Sequence, residues 1–568
     1  MAPASLYRCS RCQLQVGGDV EDAVSEELAA LWKSNVSPTS EKEPRAGYTA
    51  TSYALEAIES QIQELSASLQ SLEETRDRIA EKKRFYHSIL HPIRRLPPEI
   101  LAEIFRICTF GDTDLVYADF PGSLDTRKAP WTLSQVCRAW RSVAAFTPSL
   151  WTQVNIPRVA KISPNRATLL EALLSLQLER SGGQNLSLFY CSGSAPATSN
   201  ERPQEVFLSM LCSRASQWRT TRLEIDVDSL YSLGGFHGAF CSLKRLEIGF
   251  VPDSWTSDAI SACCAFEDCP SLTELGLHGK AQALQKGVRI PWKQITRYES
   301  REDNGWIPDL DAHIQTLSKL ERVEVCILDS AWDDLSVPQP PLNLPLKLSF
   351  LHTLVVYDNA FCPGSASTLM KRLVLPALRV LRVSAEFGHP DTMLEFLDRS
   401  QCSLEELAFP VAQCDEGDDE LRGSLTRFLK ASALHNIRTF QIGWGMCSID
   451  GYEPMREIIL EALTLGREGK VQAMPKLRRL VMDNGRDASP NSTLLTMLSS
   501  RCFITSQASE DSCGGPRLEE FALWNLGDEL EKYRTPPEQT YMDRLKEFSS
   551  SGLACKFYWG ELDWYQID

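Results

Sequence analysis

The sequence predicts an α/β protein in three parts: a long N-terminal heptad helix, a compact pair of short helices, and an irregular solenoid of strand and helix units. Three observations lead there. Apolar residues from Leu55 recur in alternating steps of three and four, two amphipathic stretches follow between 91 and 151, and residues 152–568 repeat an L-x-x-L-x-L-like pattern. The composition is that of an ordinary globular chain, with 43% hydrophobic and 24% charged residues among 568, which excludes wholly disordered and collagen-like classes. The formal charge of −16 leaves no global basic footprint for nucleic acid or anionic lipid. No apolar run approaches the length of a membrane span, and the first residues lack the apolar core of a signal peptide, so a cytoplasmic or nuclear location is expected. The 18 cysteines are scattered rather than dense, and are expected to be reduced, mostly as small buried hydrophobes.

Residues 1–51 mix Pro, Ser, Gly and Glu without periodicity, as in SNVSPTSEKEPRAGYT, and read as a flexible leader. A coiled-coil helix is predicted over 52–90. Leu55, Ile58, Ile62, Leu65, Leu69, Leu72, Arg76, Ile79, Lys83, Tyr86 and Leu90 fill its a and d positions through about five heptads. Arg76 and Lys83 occupy consecutive a positions, and the e and g sites hold Ser, Gln and Ala more often than paired charges. A stable parallel pair is therefore not specified, and at most weak self-association is expected; packing of the helix on its own chain is the other reading.

After His91-Pro92, the segment IRRLPPEILAEIFRICTF places Pro97 and Pro98 where a first helical turn tolerates them, and Glu99 at the positive end of the dipole. Leu96, Ile100, Leu101, Ile104 and Phe105 make one apolar face. A second helix carries Leu133, Val136, Cys137, Trp140 and Val143 at helical spacing. Two such helices cannot fill a core alone, so other elements or a partner must cover them.

These residues resemble the F-box: L-P-x-E-I-L-x-x-I-F, then V-C-R-x-W-R, then P-S-L-W, in order over residues 91–151. The resemblance, to F-box-like proteins of fungal type with a C-terminal leucine-rich-repeat-like domain, implies docking on a Skp1-like adaptor and through it a cullin. It assigns adaptor binding to Leu96, Pro97, Ile100, Leu101, Ile104, Phe105, Val136, Cys137 and Trp140. The 44-residue step from Leu96 to Trp140 exceeds the family's compact spacing, the excess lying in a loop around Gly111 to Ala129.

In the solenoid the motif falls at Leu243-Leu246-Ile248, Leu272-Leu275-Leu277, Leu320-Val323-Val325, Leu351-Leu354-Val356 and Leu378-Leu381-Val383. It continues at Leu404-Leu407-Phe409, Ile437-Phe440-Ile442, Leu477-Leu480-Met482 and Leu518-Phe521-Leu523, with a poor copy at Ile295-Tyr298-Ser300. Helical stretches such as DTMLEFLDRS and NSTLLTMLSSR lie between copies, and TQVNI and NLSLFY read as earlier strands around a helix near Ala167 to Arg180. Each unit buries its strand only by stacking on its neighbours. The pattern resembles leucine-rich repeats, although the family's inter-turn Asn is matched only by Asn359.

Signatures of nucleotide, hydrolase and zincin chemistry are absent, and Cys9-Ser-Arg-Cys12 is half of a zinc site. No catalytic residue, cofactor or metal is assigned, and neither nucleic acid nor membrane is expected as a partner. The acidic run Asp415 to Glu420 reads as a solvated loop, and the aromatics Trp444, Trp524, Tyr558, Trp559, Trp564 and Tyr565 as core, cap or contact. The expected function is that of the substrate-recognition subunit of an SCF-type ubiquitin ligase. Its target-binding residues are unassigned. The alternatives are a non-ligase F-box scaffold and a repeat-based protein-binding sensor.

Overall fold

The computed structural model describes residues 7–8, 15–16, 26–34, 37–110, 122–157, 164–192, 203–250, 263–279, 281–301, 310–329, 345–357, 365–383, 390–411, 419–444, 453–465, 473–483, 492–502, 517–525, 539–550 and 552–559. The chain divides into two compact units, Met1–Ile100 and Leu101–Asp568.

The first unit holds a short antiparallel pair, Tyr7–Arg8 with Gln15–Val16, then helix α1, Glu26–Ser34, and helix α2, Lys42–Leu90. The sequence reading made residues 1–51 a flexible leader; the structure instead places α1 and the start of α2 there. Local terms account for both. Glu26 and Glu27 open α1 and Lys33 closes it, matching the dipole. In α2, Arg45 pairs with Glu41 at 2.5 Å, and the Thr49 and Thr51 hydroxyls donate to the Arg45 and Gly47 carbonyls at 2.8 Å. No residue of α1 or α2 is buried, so the heptad stripe finds no cover within its own unit.

Helix α3, Pro98–Phe110, leads into the second unit. The second helix of this region, expected to be continuous, is broken at Cys137 into α4, Trp131–Val136, and α5, Arg138–Ala145. Cys137 is extended, with φ −158° and ψ 173°, and its Sγ accepts the Trp140 amide at 3.4 Å, so it ends one helix by capping the next.

Beyond it runs a parallel sheet, of fourteen strands among the described residues, in chain order. These are β1, Gln153–Ile156; β2, Leu186–Cys191; β3, Trp218–Ile225; β4, Arg245–Phe250; β5, Glu274–His278; β6, Arg297–Arg301; and β7, Val325–Asp329. The second half comprises β8, Thr353–Tyr357; β9, Val380–Val383; β10, Glu406–Val411; β11, Thr439–Trp444; β12, Arg479–Asp483; β13, Glu520–Asn525; and β14, Ala554–Trp559. Helices such as α6, Pro164–Arg180, and the segments Pro390–Ser400, Glu453–Leu463 and Ser492–Cys502 connect successive strands. Parallel neighbours require such crossovers, because a tight turn can only join antiparallel ones.

Register makes the repeat physical. Leu246, Leu275, Tyr298, Cys326, Leu354, Leu381, Leu407, Phe440, Leu480 and Phe521 pair in one unbroken row, and all are buried in one continuous core. The poor copy at Ile295-Tyr298-Ser300 is thus a full member. The copy read as Leu320-Val323-Val325 is corrected by three residues: Tyr298 pairs with Cys326 and Ser300 with Leu328, so the unit is Val323-Cys326-Leu328. Leu320 and Val323 are both buried, which let an apolar spacing imitate the motif one step early. Strands β3 and β14 escaped sequence reading, since Thr221 and Cys555 stand where the motif has its second leucine.

Asn359 lies outside the described residues, and other side chains tie unit to unit. The Gln177 amide donates to the Gln153 carbonyl at 2.7 Å, and Gln294 to those of Cys269 and Leu272 at 2.6 and 2.8 Å. Arg399 reaches the Met370 carbonyl at 2.5 Å, while Ser400 and Ser500 accept the Leu375 and Leu465 amides at 3.1 Å. Arg501, buried at the end of Ser492–Cys502, donates to the carbonyls of Leu463, Ala473 and Met474 at 2.6, 3.0 and 3.3 Å. These bonds add partners to backbone groups at helix ends, turns and a strand start, where the regular ladders do not use every carbonyl and amide.

Of the acidic run, 415–418 lie outside the described residues, while Asp419 and Glu420 begin the helix Asp419–Leu429 rather than a loop. Trp444, Trp524, Tyr558 and Trp559 lie in strands, and Trp564 and Tyr565 lie outside the described residues. Of the twelve described cysteines seven are buried; burial pushes the Cys212, Cys269 and Cys326 thiols up to about 12. Among the described residues no helix is long and apolar enough to cross a membrane.

Candidate functional site

The nine residues assigned by resemblance divide by exposure. In the second unit, Leu101 and Phe105 are buried, and the Phe105 ring meets that of Trp140 at 5.0 Å, so this part of the motif joins α3 to α5 internally. Trp140 and Ile104 are half-buried, Cys137 is exposed, and Val136 is 61% exposed. Of the three that precede, Leu96 is half-buried, Pro97 is exposed and Ile100 is 49% exposed. Two exposed apolar residues were not singled out from the sequence: Ile107, 61% exposed and on the Ile100 and Ile104 side of α3, and Phe146, just past α5. Helical spacing could have found Ile107. Residues 111–121 of the long loop lie outside the described residues.

The remainder of that loop folds back on the solenoid. The Ser123 amide donates to the Asn155 carbonyl at 2.8 Å, and the Ser123 hydroxyl accepts the Asn155 amide at 3.0 Å, extending the ladder past β1. Trp131 donates to the Ser123 carbonyl at 2.7 Å, and Trp151 to that of Ala144 at 2.8 Å. The two indoles meet edge to face at 4.8 Å, and the Arg180 guanidinium from α6 lies 4.5 Å from the Trp151 ring. The P-S-L-W segment is therefore the joint between the helical module and the first repeat.

Away from the core, the face of β3 to β6 is a lattice of charge. Arg222 pairs with Glu224 at 2.9 Å, Arg245 with Glu247 at 2.5 Å and Arg301 with Glu299 at 2.6 Å, while the His278 ring lies 3.7 Å from Glu247. Gly276 makes room for this: a Cβ there would stand 2.9 Å from Glu247 Cγ and 3.2 Å from His278 Nε2. Burial would raise the Glu247 carboxyl, but His278, Arg245 and Arg222 outweigh it and hold it down to about 2. Since its folded value lies below the ordinary 4.5, this contribution is complete above pH 4.5 and is lost as pH falls toward 2. Glu247→Gln should cost about 1–3 kcal/mol at neutral pH and flatten the acid limb of stability in that window. Urea titrations at several pH values check this; an unchanged acid limb would deny Glu247 the role.

Further along, Arg382 pairs with Glu406 at 2.5 Å and Arg479 with Glu520 at 3.0 Å. Among the described residues no three His, Cys, Asp or Glu side chains gather as a metal site, and Cys9 and Cys12 lie outside them.

Residues 93–157 match the F-box-like family model, which spans the joint just described. Among curated proteins, none matches. A crystal structure of a protein from Bacteroides fragilis aligns over 70% of this chain and 84% of its own, with 10% identity and a TM-score of 0.26. The segment is an F-box-like protein-interaction module followed by a parallel-strand repeat array.

Proposed function

We propose that the chain is the substrate-recognition subunit of an SCF-type ubiquitin ligase. The F-box-like segment holds a Skp1-like adaptor, and through it a cullin, while the repeat array holds a target protein. The observation that carries the reading is the family match over 93–157, in which motif residues Ile100 and Val136 stay exposed despite being aliphatic. The chain supplies no catalytic group of its own. Tethering raises the effective concentration of target lysines near a ubiquitin-charged enzyme brought by other subunits. Val136→Asp should weaken adaptor binding by about 2 kcal/mol or more, as for an anchor desolvated at an interface, with the melting temperature unchanged. Calorimetric titration with purified Skp1 is the test, and binding at wild-type affinity would sink the assignment. Co-purification of Skp1 without cullin would favour the scaffold reading instead.

A further inference from the structure

We propose that α2 is a dimerisation element whose partner is the same helix of a second copy, running antiparallel. Its nine apolar a and d residues from Leu55 to Leu90 are all exposed, Leu65 least at 42% and Leu72 most at 68%. The stripe extends about 54 Å at 1.5 Å per residue, beyond the three or four heptads that mark a coiled coil. What selects the occupant is the order of charge. Between Leu55 and Glu74 stand Glu56, Glu59, Glu64, Glu73 and Glu74 with no Lys or Arg; between Thr75 and Leu90 stand Arg76, Arg78, Lys82, Lys83 and Arg84 against only Asp77 and Glu81.

A parallel pair would set the acidic half beside the acidic half, and place Arg76 on Arg76 and Lys83 on Lys83 in the seam. Running antiparallel, the helix lays its acidic half along the basic half of the second copy. With Leu69 opposite Leu72, Ile62 faces Ile79, Leu55 faces Tyr86, Leu65 faces Arg76 and Ile58 faces Lys83, so no like-charge layer remains. Arginine and lysine stems can lie along Leu65 and Ile58 while their heads reach out to the flanking acidic half, Glu59 beside Lys83. At most weak self-association was expected of the chain because a parallel pair is not specified; in the opposite sense the pairing becomes specific.

The experiment uses the full-length chain. Sedimentation equilibrium over a micromolar concentration series should show a monomer–dimer equilibrium that high salt weakens. Replacing Glu56, Glu59 and Glu64 by Lys should raise the dissociation constant at least about tenfold, and adding Lys82→Glu, Lys83→Glu and Arg84→Glu in the same chain should restore it. For orientation, Ile62→Cys and Ile79→Cys chains are mixed and oxidised, and the linked peptides are identified by mass spectrometry. Links from residue 62 to residue 79 support the proposal. Links of 62 to 62 or 79 to 79, a monomer throughout the series, or a dimer indifferent to the charge exchange would each overturn it.

Discussion

Replacing Trp151 by Ala is expected to destabilise the second unit by about 3–5 kcal/mol and to uncouple its helical module from the repeats. The side chain is wholly buried, and its loss would remove the edge contact with Trp131 at 4.8 Å, the Arg180 stacking and the donor that satisfies the Ala144 carbonyl. Burial already pulls the Arg180 guanidinium below its ordinary range, so without the indole that cation faces a cavity in place of a π surface. Urea unfolding followed by far-ultraviolet circular dichroism gives the magnitude. Trp151→Phe, which keeps most of the apolar volume, should fall between Ala and wild type. Equal stability of all three would mean that the joint lies elsewhere.

Arg501→Met should cost about 2–4 kcal/mol, although it keeps an apolar stem in the same place. The carbonyls of Leu463, Ala473 and Met474 would lose the guanidinium as a donor inside the core between two repeats, Met474 keeping the Leu477 amide at 3.2 Å. Burial draws the guanidinium down to about 10, so it remains charged at neutral pH, held by carbonyl dipoles rather than by a carboxylate. A surface control, Arg106→Met, removes an exposed pair with Glu103 at 2.6 Å and should leave stability nearly unchanged, because solvent screens it. Thermal unfolding of the two variants side by side decides; a shift for Arg501→Met no larger than for Arg106→Met would remove it from the structural frame.

The array was legible in the sequence wherever a unit carries large apolar residues at all three motif positions, because stacked parallel strands demand the same face of every neighbour. It failed where burial is served by other chemistry, as at Thr221 in β3 and Cys555 in β14, and where a buried residue just past a helix imitates the spacing, as at Leu320. The ties between units were invisible. Gln294, Arg399 and Arg501 find carbonyls 22 to 38 residues away, and no local pattern marks a side chain destined for such a partner. At the F-box-like segment the motif named residues without showing which of them are buried. Leu101 and Val136 are both apolar motif residues, and only the fold turns one inward and leaves the other to solvent.

The two ends of the sheet are not equivalent. At β1 the ladder continues into Ser123 and is clasped by Trp131, Trp151 and Gln177; at β14, among the described residues, one helix, Gln539–Ser550, backs the final strand. In an array that leans only on nearest neighbours, fraying begins where the last neighbour is missing and travels inward. Amide protons of β14 and β13 should therefore exchange first under mild denaturant, and those of β1 and β2 last. Under the proposed function, a heat-damaged molecule would then lose part of its array while still occupying an adaptor, and so would act as a competitor of intact copies rather than as a merely silent one.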